Sequence, residues 1–244
     1  MSIQKTRLDQ LLVQRGMAET RERAKALIIA GHVLVDGIQA DKAGRLVLQS
    51  SSVQLKARPP YVSRGGLKLE AALQHFGVEV EGRVVMDVGA STGGFTDCLL
   101  QHGAGRVIAV DVGYGQLDFG LRQDSRVTVL EKTNIRYLKP EDIDTLPQGA
   151  VIDVSFISLR LVVPPVSKLL QKTAFIIALI KPQFEVGKGK VGKGGVVRDP
   201  DLHQEVIENL KGFFETLGWA VCGHIPSPVL GPKGNREFLI YLTR

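Results

Sequence analysis

Cysteine is scarce in this chain. Cys98 and Cys222 are the only two in 244 residues, and neither sits in a CxxC pair or a Cys/His cluster. That spacing suggests no disulfide framework, argues against structural zinc, and leaves no metal site to expect. Long apolar runs are missing too. The longest, AFIIALI at residues 174–180, falls far short of the about 20 residues that cross a bilayer. The opening MSIQKTRLDQLL has neither the apolar core nor the small-residue cleavage site of a secretion signal. A cytoplasmic protein without membrane contact is expected.

What is present is an uneven distribution of charge. Residues 1–68 hold 12 Lys and Arg against 5 Asp and Glu, whereas the remainder holds 19 against 20. The whole basic excess therefore lies in the first quarter of the chain. A small basic module ahead of a near-neutral larger one points to an anionic partner, nucleic acid before others.

Within that module, TRLDQLLVQRG places Leu8, Leu11 and Leu12 at helical spacing and ends at Gly16. A second helix, TRERAKALIIAG, opens at Thr20 and stops at Gly31. HVLVDG then alternates Val33 and Val35 ahead of Asp36-Gly37, a hairpin signal, and RLVLQSSSVQLKA supplies further strand. Arg21, Arg23 and Lys25 crowd the start of the second helix, where cations oppose the helix dipole. Local stability does not account for them, and phosphate contacts would. Over about 50 residues the segment resembles the S4 RNA-binding domain. The resemblance implies docking to structured RNA through phosphates and shape, with Arg7, Arg21, Arg23 and Lys25 as contacts. The S4-type domain is assigned to residues 1–58 and a stiff, basic, Pro-Pro linker to 59–64, with Arg64 a further RNA contact.

From residue 65 onward the rhythm changes. The amphipathic helix SRGGLKLEAAL carries Leu69, Ala72, Leu73 and Phe76 on one face, with Lys68 at the border of the stripe. Its two glycines are expected to let the linker turn and the backbone approach RNA. RVVMDVGAS, RVIAVDVG, VTVLEKT, GAVIDVSF and TAFIIALI read as buried strands alternating with helices. DPDLHQEVIENLKGFFETLG is a long helix with Ile207, Leu210, Phe213, Phe214 and Leu217 on one side. WAVCGHI and REFLIYLTR close the chain as strands too tightly joined for a helical crossover, so they are placed antiparallel. The fold class is α/β: a small α+β domain, then a Rossmann-like sheet over residues 65–244 with an antiparallel terminal strand. This outline resembles class I S-adenosylmethionine methyltransferases.

The loop DVGASTGGFTD follows the first strand and matches neither GxGxxG nor a P-loop. Its glycines allow close backbone approach to a ligand at the carboxyl edge of the sheet. Asp111, about 20 residues on at the end of the second strand, is placed to accept hydrogen bonds from ribose hydroxyls. Lys68, Asp153, Lys181 and Glu237 all fall where this topology brings chain segments to one sheet edge. Residues 186–199 form a Gly/Lys-rich loop, either an RNA-contacting element or a plain crossover.

The ordered motifs SRGGLKL, DVGASTGGFTD, DVSFISL, IKPQFE and GNREFL, after an S4 segment, are similar to those of the TlyA family. These are rRNA 2′-O-ribose methyltransferases with an FtsJ-like catalytic domain, historically called hemolysins. The resemblance implies S-adenosylmethionine as cofactor, ribosomal RNA or ribosomal subunits as partner, cytidine as target, and a Lys68–Asp153–Lys181–Glu237 tetrad. It implies Lys181 as base or alkoxide stabiliser, Asp153 holding it, and Lys68 and Glu237 orienting the ribose. Asp87, Gly89, Ser91, Gly93, Gly94 and Phe95 would form the methionine side of the cofactor pocket, with Asp111 at the ribose and Asn134 at the adenine. A pore-forming hemolysin and a non-catalytic RNA-binding assembly factor are the rival readings.

Overall fold

The computed structural model describes residues 5–29, 31–55, 59–187, 189–192 and 194–244. Lys56, Ala57 and Arg58, just ahead of the linker, and Lys188 and Lys193 of the Gly/Lys-rich loop, lie outside the described residues. The chain divides into two units, Met1–Pro59 and Pro60–Arg244.

In the first unit, β1 (Lys5–Arg7) leads directly into α1 (Leu8–Gln14), and α2 (Arg21–Ile29) follows. The sequence pattern suggested helix from residue 6, but the first turn's worth of chain is a strand paired with β4 (Leu46–Leu48). Leu8, Leu11 and Leu12 turn inward against Ala24 and Ile28 of α2, as their spacing requires. β2 (Val33–Val35) pairs antiparallel with β3 (Ile38–Gln39) and β5 (Val53–Leu55). Asp36 and Gly37, at φ 51° and 79°, form the tight turn between β2 and β3. Two adjacent left-handed residues match the right-handed twist of the flanking strands, which is why an Asp-Gly pair sits there.

The second unit begins with α3 (Gly65–Phe76), closed by Gly77 in the left-handed conformation. Then β6 (Val84–Val88), α4 (Gly94–Gln101), β7 (Arg106–Val110), α5 (Phe119–Gln123) and β8 (Val127–Leu130) alternate. β9 (Gly149–Ile152), α6 (Leu159–Lys168), β10 (Phe175–Ile180) and the single turn α7 (Pro182–Glu185) continue the pattern. α8 (Pro200–Thr216), β11 (Ala220–Pro226) and β12 (Phe238–Thr243) complete it. The strand order is β11-β12-β10-β9-β6-β7-β8. β12 runs antiparallel to both β10 and β11, so it is the one reversed strand in this sheet.

Helices cover both faces, which explains the uninterrupted apolar strands. In β10, Ile176, Ala178 and Ile180 face the α6 and α8 side, while Ile177 and Leu179 face α3 and α4. A strand buried on both sides has no polar alternation to show. Each such isoleucine or leucine contributes about 1.5–3 kcal/mol by leaving water. Two expectations need correction. β8 is half-buried throughout because it is the edge strand. Leu217 lies beyond α8, at its C-cap, and is exposed there.

Candidate active site

Two cation–carboxylate pairs meet at the carboxyl edge of the sheet. Lys68, in the first turn of α3, places Nζ 2.6 Å from Glu237 Oε2. Lys181, directly after β10, places Nζ 2.5 Å from Asp153 Oδ1, and Nζ also donates a hydrogen bond to Ser155 Oγ at 2.9 Å. Register explains the convergence. β9 and β10 are parallel neighbours with Ile152 opposite Ala178, and Ile180 of β10 stands opposite Phe238 of β12. Asp153 and Lys181 therefore leave the sheet on the same edge, and the reversed β12 brings Glu237 in beside Lys181. Lys68 and Lys181 are only 8% and 7% exposed, and the Glu237 side chain is buried. All four line one cavity of about 290 Å³, with Arg64 at the same cavity.

Glycines shape this cavity for steric reasons. Gly231 has an ordinary backbone conformation, yet a Cβ there would sit 2.1 Å from Glu237 Oε1. That oxygen is buried and accepts no hydrogen bond among the described residues. Gly66 is also sterically required: a Cβ would lie 2.2 Å from the ring of buried Tyr61, whose hydroxyl donates to Glu70 at 2.9 Å. The expectation that this glycine opens the backbone to RNA is thus corrected, because its missing side chain makes room for the protein's own aromatic ring.

A second cavity of about 460 Å³ adjoins the first and shares Gly89, Ser91, Asp153 and Ser155 with it. Its volume falls in the range of small-molecule sites. Asp111 stands at this cavity, accepting from the Ser91 amide at 2.8 Å and the Gly113 amide at 2.7 Å. Asn134 also lines it, with its side-chain oxygen accepting from the Arg136 amide at 3.1 Å. Gly89, at φ 85°, could not carry a side chain, since a Cβ would lie 2.6 Å from the Asp153 carbonyl oxygen. Gly94 lines the first cavity, and Phe95 does so while sitting almost wholly in the core.

Asp87 and Gly93 line neither cavity. Gly93, at φ 96°, caps α4 and packs on Leu121 and Leu117. Asp87 is fully buried in β6, accepts from Thr96 Oγ1 at 2.7 Å, and has an Oδ1 with no partner among the described residues. Burial pushes its carboxyl up to about 7. An adenosine-bearing cation fits these surroundings. The larger cavity has apolar walls with a carboxylate at its mouth, and an orphaned buried carboxylate oxygen lies behind the glycine loop.

The basic cluster of the first unit divides into two groups. Arg7 makes a two-toothed contact with Asp9, at 3.0 and 2.9 Å, and Arg21 reaches the same carboxylate at 3.2 Å. Asp9 is buried, and the Arg7 contact, helped by Arg21, holds its carboxyl down at about 2. Local structure therefore does account for Arg21: the helix dipole disfavours it, but a buried counter-charge from α1 favours it. Arg23 and Lys25 have no carboxylate partner among the described residues.

Two residues inside DVSFISL escaped the sequence analysis. Ser155 touches Lys181, and Phe156 is 90% exposed at φ 63°, its ring centroid 5.0 Å from that of Phe184. An aromatic residue after a strand is ordinarily core, and only the backbone reveals that this one is turned outward.

Residues 61–244 match the model of the FtsJ-like methyltransferase family, and residues 6–53 match that of the S4 domain. The Bacillus subtilis protein YqxC is 50% identical over 244 residues, 99% of this chain and 87% of its own. The 16S/23S rRNA (cytidine-2′-O)-methyltransferase TlyA of Mycobacterium tuberculosis is 46% identical over 240 residues, 98% of this chain and 90% of its own. A solved structure of a hemolysin-named protein from Streptococcus thermophilus has a TM-score of 0.77 at 45% identity, covering 100% of this chain and 90% of that one. The chain therefore belongs to the TlyA family, in which an S4 domain precedes an FtsJ-like methyltransferase domain, and its methyl donor is S-adenosylmethionine.

Proposed function

We propose that this protein methylates the 2′-oxygen of a cytidine in ribosomal RNA, working on ribosomal subunits in the cytoplasm. The observation that carries the reading is the meeting of the Lys68–Glu237 and Lys181–Asp153 pairs in one cavity that adjoins the Asp111 cavity. The same reading assigns residues 1–58 to RNA docking, 59–64 to the linker and 65–244 to methyl transfer.

S-adenosylmethionine, when bound, supplies a methyl group already activated on a sulfonium. The protein's task is the weakly acidic hydroxyl. Asp111 would hold the cofactor ribose, Asn134 would meet the adenine, and the backbone at Gly89 and Ser91 would border the methionine end. Lys181 meets the acceptor oxygen. In its neutral form it takes the hydroxyl proton, and as the resulting ammonium it holds the product oxygen by a hydrogen bond. Asp153 fixes Lys181 in place and stabilises that ammonium. Lys68 and Glu237, paired through Oε2, orient the ribose. Arg64, with Arg23 and Lys25, attracts the RNA backbone.

The test is transfer of label from S-adenosylmethionine to the RNA of purified ribosomal subunits by the full-length protein. Label retained in dinucleotides after alkaline hydrolysis supports the reading, because a 2′-O-methyl blocks cleavage at that linkage. Label released as mononucleotide contradicts it.

A further inference from the structure

Lys181 Nζ has two fixed neighbours. The Asp153 carboxylate lies on one side at 2.5 Å and the Ser155 hydroxyl on another at 2.9 Å. An amine nitrogen is tetrahedral, and one of its valences is spent on its own side chain. The hydrogen bond to Ser155 Oγ occupies a second, whereas Asp153 Oδ1 is close by charge but accepts no hydrogen bond among the described residues. A single directed hydrogen bond sets the rotation about the terminal carbon–nitrogen bond, so the other two positions on the nitrogen point in fixed directions. With the charge contact alone, the nitrogen turns about that bond and those positions sweep a cone.

Ser155 is solvent-exposed, so a hydroxyl there would ordinarily wander. Several features hold its loop in place. Phe156, the next residue, stays at φ 63° although its ring is 90% exposed. Such an outlier costs about 1–3 kcal/mol and persists only where the surroundings enforce it. α7 enforces it side chain by side chain. Phe184 packs on the Phe156 ring, and Glu185 accepts from Ser158 Oγ at 2.6 Å and from the Leu159 amide at 2.8 Å. The segment that begins with Lys181 therefore clasps the loop that carries Ser155. Ser155 also lines both cavities, so its hydroxyl lies where the two meet.

We propose that Ser155 is a positioning residue for methyl transfer: its hydrogen bond fixes the rotation of the Lys181 amine, which Asp153 holds by charge, so that a free valence faces the acceptor hydroxyl. The proposal rests on the assignment of Lys181 to the acceptor oxygen. Ser155 acts through Lys181 and needs no contact with RNA or cofactor. Its removal slows the chemical step and leaves ground-state binding alone.

The experiment compares full-length wild type, Ser155→Ala, Ser155→Thr and Lys181→Ala. Each is assayed by single-turnover methyl transfer from labelled S-adenosylmethionine to purified ribosomal subunits. Cofactor affinity by calorimetry and subunit affinity by filter binding are measured alongside. Loss of one neutral hydrogen bond corresponds to a drop of about 10-fold in rate for Ser155→Ala. Both affinities stay at wild-type values, and Ser155→Thr, which keeps the hydroxyl, recovers most of the rate. The proposal is overturned if Ser155→Ala transfers at the wild-type rate while Lys181→Ala is inactive. It is also overturned if the rate loss is matched by lost cofactor affinity, which would make Ser155 a cofactor ligand. A Lys181→Ala protein at wild-type rate removes the Lys181 assignment itself, and this outcome is distinguishable from the other two.

Discussion

Lys68 Nζ and Glu237 Oε2, 169 residues apart in sequence, are joined by a 2.6 Å contact between two side chains that are largely withdrawn from water. Withdrawing both charges is costly, and the pair is retained only if it is excellent or useful. Glu237→Ala leaves Lys68 as a buried cation and is expected to destabilise the second unit by about 3–5 kcal/mol in urea unfolding. The double replacement Lys68→Met with Glu237→Leu should recover most of that stability while remaining inactive. If the apolar pair restored activity, the ion pair would be a structural element and not part of the site.

Asp87 gives a stability prediction with a definite sign. Burial raises its carboxyl from the ordinary 3.8 to about 7, so the folded state holds the proton more tightly than the unfolded chain. Its contribution is fully present below about pH 3.8 and is lost as pH rises through about 7. Asp87→Asn keeps an acceptor for Thr96 and removes the titration. Relative to wild type, the variant should gain a few kcal/mol of stability between pH 4 and pH 8, read from melting curves across that range. A difference that does not change with pH would contradict the burial argument.

The opposite sign holds in the first unit. Asp9 is held at about 2 against an ordinary 3.8, so its pairing with Arg7 and Arg21 stabilises above about pH 3.8 and fails as pH falls through about 2. Asp9→Ala should abolish slow amide exchange in α1 and α2 of the full-length protein at neutral pH. Arg23→Ala should leave exchange untouched and reduce the salt dependence of binding to ribosomal subunits by about one unit of slope. Arg21→Ala should speed exchange and leave the salt slope unchanged, and an Arg21→Ala variant with native exchange would show that the Asp9 contact is idle.

Phe156 combines strain with exposure. Glycine accepts φ 63° freely, so Phe156→Gly should raise stability by about 1 kcal/mol once its own backbone entropy is deducted. Methyl transfer to ribosomal subunits is expected to fall nevertheless, as removal of an exposed aromatic face open to base stacking would cause. A variant that is destabilised and fully active would mean that the ring serves packing.

That Asp153, Lys181 and Glu237 reach one edge was legible in the sequence because sheet topology aligns strand ends, whereas Lys68 joined them through the family resemblance. Asp153 and Lys181 each follow a buried strand, and Glu237 precedes the one that reverses. The Asp36-Gly37 turn was equally legible, since its φ values follow from residue type. Other features depend on tertiary partners that sequence spacing does not carry. Arg21 looked like a phosphate ligand until the buried Asp9 supplied its counter-charge. Gly66 resembled a hinge but makes room for Tyr61. Ser155 and Phe156 lay inside an apolar-looking motif, and only the left-handed backbone turns them toward the cavities.

The most direct measurement is mass-spectrometric mapping of ribosomal RNA nucleosides after reaction of purified subunits with S-adenosylmethionine and either wild type or Lys181→Ala. The account predicts 2′-O-methylcytidine from the wild type and none from a Lys181→Ala protein that still binds the cofactor. Methyl groups on a base nitrogen or carbon, or a Lys181→Ala protein transferring at the wild-type rate, would contradict it.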